Sequence, residues 1–296
     1  MDASPYIHTD LAVEQQPAGI SADTPGIAIQ VYSEDGCTVT ALEILDERGA
    51  QTLGKPVGMY YSIDIGVCWY DDAAKTERIA HCIATCLTNL LARHPVGERC
   101  VLVAGLGNRS ITADRLGPLT ADSVNVTRHL RDAEPELYRS LACSEVAGIA
   151  PGVAGQTGME SSEILSALVR KLQPGCVIAI DALAARSTDR LATTVQLSDT
   201  GIHPGSGIGN HRAAVNAESL GVPVLAIGVP TVVNSSTMVY DALEKAGVTE
   251  ISDALREVLD NGKSYFVSLK ESDIAVGQLA AILSRALNLA LGNDYQ

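Results

Sequence analysis

Short apolar runs alternate with helix-like stretches along the chain from residue 100 onward. The runs are CVLVAGLG, SEVAGIAPG, CVIAIDAL, ATTVQLSD and VPVLAIGVP, and each ends at or close to a glycine, aspartate or proline. Helical spacing of apolar residues predicts helices near 120–130 and over 161–172. Continuous apolar runs of this kind are typical of strands buried on both faces of a parallel sheet, with functional loops at their carboxyl ends. This part of the chain predicts an α/β fold with a mostly parallel sheet flanked by helices.

The first 95 residues show a different pattern. Residues 1–25 are polar and interrupted by three prolines, so we expect no ordered element there without help from the rest of the protein. Two β-branched runs then flank Asp35-Gly36, a pair that favours a tight hairpin turn. A strand over 55–66 and a helix over 71–94 follow, and an apolar stripe in the last 26 residues predicts a terminal helix. We predict one domain over 11–296, with a hairpin and helix extension over 11–95 and an α/β core over 96–296.

Composition narrows the possible partners and location. The formal charge of -14 opposes binding to a phosphate backbone, so no nucleic-acid partner is expected. Seven cysteines at irregular spacing and a start without a signal peptide indicate reduced thiols and a cytoplasmic protein. No apolar run approaches the roughly 20 residues that span a bilayer, so no membrane partner is expected.

The first candidate for chemistry is the glycine-rich run GLGNRSITADRLGP, which follows the strand CVLVA. Gly105-Leu106-Gly107 permits a sharp turn and close approach of a ligand, as dinucleotide sites require. Ser110 stands where the dinucleotide pattern has its third glycine, so a nucleotide site is a weak alternative. The loop also carries Asp114, a carboxylate at the rim of the turn.

The second candidate is Asp181, at the end of the apolar run VIAI. A carboxylate there is costly unless it is solvated, paired or functional. The structural alternative is that Asp181 caps a helix or pairs with Arg186. The functional hypothesis is that Asp114 and Asp181 meet at one edge of the sheet, where two carboxyls can supply one general base and one general acid.

Further candidates lie in SDTGIHPGSGIGN at 198–210. Asp199-Thr200-Gly201 matches the triplet of pepsin-like proteases, but those enzymes use two copies on an all-β scaffold, so Asp199 stays a runner-up acid. His203 is a possible additional site residue beside it. Ser206 misses the nucleophile-elbow pattern by one position. Cys82 and Cys86 have no second Cys or His pair to complete a zinc site, and we expect neither a metal nor a cofactor.

Seven collinear segments together resemble the germination protease family of spore-forming bacteria. The segments span residues 8 to 233: HTDLAVE, GLGNRSITADRLGP, VTRHL, PGVAGQTGMESSEI, VIAIDALAARS, SDTGIHPGSGIGN and GVPVLAIGVPTVV. The resemblance implies an atypical aspartic endopeptidase whose essential acids fall on Asp114 and Asp181. It implies a homotetramer on a phosphorylase/hydrolase-like α/β fold, similar to that of hydrogenase-maturation proteases. It also implies small acid-soluble spore proteins as substrates and a location in the forespore or spore core.

The resemblance further implies a zymogen that cuts off its own propeptide. The family cuts between an acidic residue and a hydrophobic residue followed by alanine, and Asp10-Leu11-Ala12 fits. The expected propeptide is therefore 1–10, and the single peptidase domain begins at Leu11. Two features depart from the family. Ala113 stands where the family has proline, and the long segment that Bacillus members carry after GVPTVV is missing.

Two other functions stay open at the level of sequence. One is a metal-assisted endopeptidase of the hydrogenase-maturation type, which inactivation by a chelator would favour. The other is a non-catalytic nucleotide-binding or peptide-binding module built on the Gly105-Gly107 turn. The sequence also leaves open which of the two acids holds a shared proton, because coupled carboxyls titrate as a pair.

Overall fold

A single mixed sheet forms the centre of the computed structural model, which describes residues 8–15, 24–94, 96–97, 99–141, 143–203, 213–248, 251–259 and 265–294. Within these residues the strand order is β1-β2-β3-β7-β8-β6-β4-β5, and β9 pairs with the far end of β8. The strands are β1 (Ile27–Glu34), β2 (Cys37–Ile44), β3 (Gly58–Asp64), β4 (Val101–Gly105), β5 (Val146–Ile149), β6 (Cys176–Ala185), β7 (Thr194–Ser198), β8 (Val224–Asn234) and β9 (Phe266–Ser268).

Half of the sheet is parallel. Strands β5, β4, β6 and β8 pair in parallel, which confirms the predicted α/β class. The expectation that β7 belongs to the parallel set is wrong, because β7 runs antiparallel to both β3 and β8. Only residues 186–193 connect β6 to β7, and a parallel crossover needs about a dozen residues or more. The sheet as a whole is therefore mixed.

The predicted N-terminal hairpin forms the other half of the sheet. Asp35 and Gly36 both have positive φ, at 49° and 83°, as the two-residue turn between β1 and β2 requires. Strand β3 continues the antiparallel ladder and pairs with β7 from Tyr60 to Asp64. The hairpin extension is thus joined to the α/β core by backbone hydrogen bonds within one sheet.

Helices cover both faces of the sheet. They are α1 (Glu47–Leu53), α2 (Ala73–Ala92), α3 (Leu116–Ser123), α4 (Arg128–Ala133), α5 (Pro135–Leu141), α6 (Ala154–Thr157), α7 (Ser161–Leu172), α8 (Ala217–Leu220), α9 (Ser235–Lys245), α10 (Asp253–Leu259) and α11 (Ser272–Ala290). The expected helices over 71–94, over 161–172 and at the C-terminal end are present as α2, α7 and α11. None of the described helices is long and apolar enough to cross a membrane.

Two elements differ from the sequence prediction. The helix expected near 120–130 is interrupted at Val124, which is extended, so α3 and α4 are separate. Thr127 holds this break, because its hydroxyl donates to the Ser144 carbonyl and accepts from the N–H of Val146 on β5. Between β8 and the terminal helix the structure also has α9, α10 and β9, which the apolar pattern did not predict.

The two faces of the sheet have separate apolar cores, as the alternation of side chains along a strand dictates. Even-numbered residues at the start of β6, such as Ile178 and Ile180, pack in the core under α2 and α11. Odd-numbered residues of β6, including Ala179 and Leu183, belong to the second core with Leu165 of α7. Asp181 therefore projects to the α7 face.

Glycines let the loop after β4 lie directly on the sheet. A Cβ on Gly117 would stand 2.3 Å from the Leu106 carbonyl oxygen and 2.4 Å from that of Ile180. Both neighbours are backbone atoms and cannot move aside easily. The loop that carries Asp114 is thus held against the strand that carries Asp181.

We predict that Gly117→Ala destabilises the fold while Gly277→Ala does not. The added methyl group at 117 meets two backbone carbonyls, so we expect a loss of about 2 kcal/mol or more in the free energy of unfolding. Nothing lies within 4 Å of a Cβ at Gly277 on α11, so alanine there should stabilise the fold by about 0.5–1 kcal/mol. Urea unfolding measures both values. Equal stability of the two variants would contradict the packing described for the loop.

Candidate active site

A cleft of about 380 Å³ on the α7 face brings together Asp114, Asp181 and Asp10. Asp181 does not end its strand as the sequence suggested, because β6 continues to Ala185. The neighbouring strand β4 ends instead, at Gly105 opposite Ile180. The Asp181 side chain therefore lies just past the end of β4. It is largely buried, and its Oδ1 accepts from the N–H of Ala182 at 2.9 Å.

Asp114 enters the cleft on a short 3-10 turn, Thr112–Asp114. Its Oδ2 accepts from the N–H of Asn108 at 2.8 Å, which folds the loop back on itself. Gly107 permits this fold, because it has φ 117° and lies against the Asp114 backbone. The hydroxyl of Thr231 on β8 donates to the Ala113 carbonyl at 2.7 Å, and a proline at position 113 would present the same carbonyl. The turn is thus attached to the sheet independently of the acid.

Asp199 and His203 do not line this cleft. Asp199 accepts from the N–H of Met59 at 2.7 Å and pairs with Arg93 and His94 at 3.3 and 3.5 Å, so it connects the end of β7 to β3 and α2. His203 lines a second cleft of about 400 Å³. Ser206 lies outside the described residues.

The N-terminal segment 8–15 docks beside β6. The sequence predicted no ordered element before residue 25 without help from the rest of the protein, and segment 8–15 receives that help. The Asp10 N–H donates to the Ala184 carbonyl at 2.9 Å, and its Oδ2 accepts from the Ala184 N–H at 2.8 Å. Leu11 and Ala12 are 0% and 1% exposed. Contacts with the rest of the protein supply the order that the polar, proline-containing sequence lacks.

Glu14 anchors the far end of segment 8–15. Its carboxylate accepts from the N–H groups of Arg186 and Ser187 at 2.6 and 3.0 Å and from the hydroxyl of Thr9. The guanidinium of Arg190 lies 3.5 Å away. The side chain of Arg186, considered from sequence as a partner of Asp181, forms ion pairs with Asp241 and Glu244.

Two side chains converge on the backbone at Asp10. Its carbonyl oxygen accepts from Lys55 Nζ at 3.0 Å and from Gln196 Nε2 at 3.2 Å. Gln196 Oε1 accepts from the N–H of Ala12 at 2.6 Å, so one amide side chain spans residues 10 to 12. Burial lowers the pKa of Lys55, and the nearby Asp10 carboxylate offsets part of that effect.

Lys55 and Gln196 were not among the candidates from the sequence, although one signal was present. Gln196 is a long polar residue between Val195 and Leu197 in a predicted strand, where its desolvation is costly unless a partner or a function offsets it. Lys55 lies in the short loop after α1 and gives no comparable signal. Among the residues that the structure describes, no group of three or more His, Cys, Asp or Glu side chains could hold a metal ion.

Comparison with known proteins gives matches along most of the chain. A family model described as germination protease matches residues 7–247. A germination protease of Caldanaerobacter subterraneus subsp. tengcongensis is 40% identical, over 96% of this chain and 94% of its own length. The germination protease of Clostridium perfringens is 40% identical, over 90% of this chain and 81% of its own length. That of Priestia megaterium is 38% identical, over 82% of this chain and 68% of its own length.

One solved structure is also similar, at a low level. It is the [NiFe] hydrogenase maturation protease HycI from Thermococcus kodakarensis KOD1, which is 16% identical, with a TM-score of 0.34, over 67% of this chain and 98% of its own. Because this similarity is so low, the α/β class is based on the strand order described above and not on this structure.

We predict that Glu14→Ala loosens segment 8–15. The change leaves the N–H groups of Arg186 and Ser187 without their carboxylate, which costs about 1–3 kcal/mol. Hydrogen exchange at the amides of Leu11 and Ala12 should become about tenfold faster or more. Glu163→Ala is the matched control, because the Glu163 carboxylate also accepts from a main-chain N–H, that of Glu160, at the exposed start of α7. Exchange at Leu11 and Ala12 should not change in this variant. Unchanged exchange in Glu14→Ala would show that Glu14 does not hold the segment.

Proposed function

Because the chain belongs to the germination protease family, which makes it an endopeptidase of spore germination, we propose that it works as an aspartic peptidase. Its catalytic groups are the carboxyls of Asp114 and Asp181. One observation carries the proposal: these two side chains line the same cleft as Asp10, and Asp10-Leu11-Ala12 has the acidic, apolar and alanine residues of the family's cleavage site.

The chemistry follows from two carboxyls that share one proton. The ionised carboxyl takes a proton from water as the water oxygen bonds to the scissile carbonyl carbon, and the carbonyl π electrons move to its oxygen. As the electrons return, the C–N bond breaks, and the nitrogen takes a proton from the protonated carboxyl. The products are a carboxylic acid and an amine, which then exchange protons with water, and the pair of catalytic acids again holds one shared proton. Mild acidification supplies this proton and favours the reaction.

Segment 8–15 supports a zymogen that processes itself. Its Asp10-Leu11 bond lies at the cleft, so the uncut chain covers its own site. The propeptide is residues 1–10, of which 8–10 are described, and the single peptidase domain is 11–296. Cleavage separates Asp10, paired with β6, from the part of the segment that Glu14 anchors.

The same contacts suit a protein substrate of similar sequence. Leu11 is enclosed by the second core, and Ala12 packs among the residues Ile27, Leu42, Ile44, Leu53 and Tyr60. A site closed around so small a side chain favours alanine, because a larger one would have to displace packed residues. We propose small acid-soluble spore proteins as the substrates, in the spore core.

We further propose that the protein assembles as a homotetramer. Light scattering, which measures the mass of the assembly in solution, tests this proposal.

We predict that mild acidification shortens the full chain by residues 1–10, so that the product starts at Leu11. Intact mass spectrometry measures the loss, and sequencing of the new N-terminus locates the cut. A rate that does not change with protein concentration would show that the cut is made within one molecule, either a single chain or a preassembled tetramer. An unchanged mass would contradict self-processing.

We predict that Asp114→Asn and Asp181→Asn each slow self-cleavage and substrate cleavage by at least about 100-fold, since each removes one of the two proton-transfer groups. Asp199→Asn is the matched control. It weakens ion pairs with Arg93 and His94 away from the cleft, so the cleavage rate should stay near normal. Rates come from intact mass over time, with thermal unfolding as the check on folding. Normal cleavage by either cleft variant would refute its assignment, and loss of activity on chelation would favour metal-assisted hydrolysis.

A further inference from the structure

The carbonyl oxygen of Asp10 has an unusual environment for a bond that is to be cut. Two side-chain donors, Lys55 Nζ and Gln196 Nε2, reach it at 3.0 and 3.2 Å. Donors at about 2.7–3.1 Å from the oxygen that becomes negative are what stabilises a tetrahedral intermediate in acyl transfer. Lys55 carries a full charge when protonated and is half-buried, where an electrostatic contact is stronger than in water.

Sheet register places Gln196 on the same face of the sheet as Asp181, two strands away. Asp181 on β6 and Gln196 on β7 both pair with Gly228 on β8, so the three residues form one row across the sheet. Residues directly opposite each other project to the same face, and strands lie about 4.8 Å apart. Asp181 and Gln196 therefore lie roughly 10 Å apart on the face where segment 8–15 lies. The side chain of Leu183 packs over Gly228 between them.

Asp10 connects the two ends of this row. It lines the cleft that contains Asp114 and Asp181, and it also lines the neighbouring cleft that contains Lys55 and Gln196. The carboxyls come from the parallel half of the sheet and its loop, whereas Lys55 and Gln196 come from the loop after α1 and from β7. Segment 8–15 bridges the two groups.

We propose that Lys55 and Gln196 stabilise the negative charge on the scissile carbonyl oxygen, both in self-cleavage at Asp10 and in cleavage of substrates that bind in the same way. This inference rests on the proposed function, because it takes Asp10-Leu11 as the bond that is cut. When water adds to the carbonyl carbon, the π electrons move to the oxygen, and the two donors hold it until the C–N bond breaks.

Donors on the carbonyl oxygen also determine which role is left for the protonated acid. The protonated acid of such a pair can either polarise the carbonyl or protonate the leaving nitrogen. With Lys55 and Gln196 on the oxygen, the protonated acid is available for the nitrogen of Leu11. The ionised acid then serves as the base that activates water.

Gln196 has a second part in this arrangement, as a positioning residue. Its Oε1 accepts the N–H of Ala12 at 2.6 Å while its Nε2 donates across the scissile bond. The two contacts hold the backbone on either side of the bond in one register. Gln196→Glu separates these roles, because a carboxylate keeps the acceptor for Ala12 and removes the donor to Asp10.

The test measures the first-order rate of self-cleavage in the full-length chain after mild acidification, by intact mass. Lys55→Met and Gln196→Glu should each slow it by roughly 100-fold or more, and Lys55→Arg should recover part of the loss because it keeps a charged donor. Two controls are matched in chemistry. Lys75→Met removes a lysine that donates to a main-chain carbonyl on the surface, and Gln278→Glu changes a partly buried glutamine on α11. Both should cleave at the normal rate.

Hydrogen exchange at Leu11 and Ala12 separates charge stabilisation from simple docking. It is measured on the same substitutions in an Asp114→Asn background. Slow cleavage with normal protection of these amides supports the proposal. Slow cleavage with lost protection in both Lys55→Met and Gln196→Glu would overturn it, because the two residues would then only tether the segment. If Lys55→Met does not fold, Gln196→Glu decides between these outcomes.

Failure of this inference is distinguishable from failure of the proposed function. If Asp114→Asn and Asp181→Asn abolish cleavage while Lys55→Met and Gln196→Glu cleave normally, the carboxyl assignment stands and the donor assignment falls. If the two Asp→Asn variants cleave normally, the proposed function falls, whatever the donor variants do.

Discussion

The candidate site depends on one mismatch in strand length. Strand β4 ends at Gly105, opposite Ile180, whereas β6 continues to Ala185. The chain that leaves β4 must therefore turn away beside a strand that is still extended, and the space next to Asp181 is left to a loop. Glycine at position 117 lets that loop approach the carbonyl of Ile180, which fixes the loop on the strand. The cleft and the position of Asp114 are both consequences of this early ending.

The continued part of β6 also provides a docking edge. Past the point where β4 has ended, Ala184 has its N–H and its carbonyl available for the Asp10 side chain and backbone. An exposed strand edge commonly accepts an extended segment of chain, and here the segment is the protein's own N-terminal part. Glu14 then fixes the segment on the loop after β6. The geometry that creates the cleft thus also brings a candidate cleavage site to it.

The two halves of the sheet contribute different chemistry. The parallel half and its glycine-rich loop supply carboxyls, which exchange protons near neutral or acidic pH when they are close to each other. The antiparallel half supplies Lys55 and Gln196, which are donors toward a carbonyl oxygen. Strand β7 joins the two halves and runs antiparallel to both of its neighbours. It places Gln196 in the same row as Asp181.

The sequence by itself determined the local features. Apolar runs and their period indicated the α/β class, and Asp35-Gly36 indicated the hairpin turn. Acids beside apolar strands made Asp114 and Asp181 candidates, because each of these signals lies within a few neighbouring residues. Tertiary structure alone decided which strands end early, how β7 is oriented, and that segment 8–15 docks at all. It also separated Asp199 from the cleft and brought Lys55 and Gln196 to Asp10. These outcomes depend on contacts between residues far apart in the chain, such as Lys55 with Asp10 or Glu14 with Arg186, and no periodicity or short motif records such contacts.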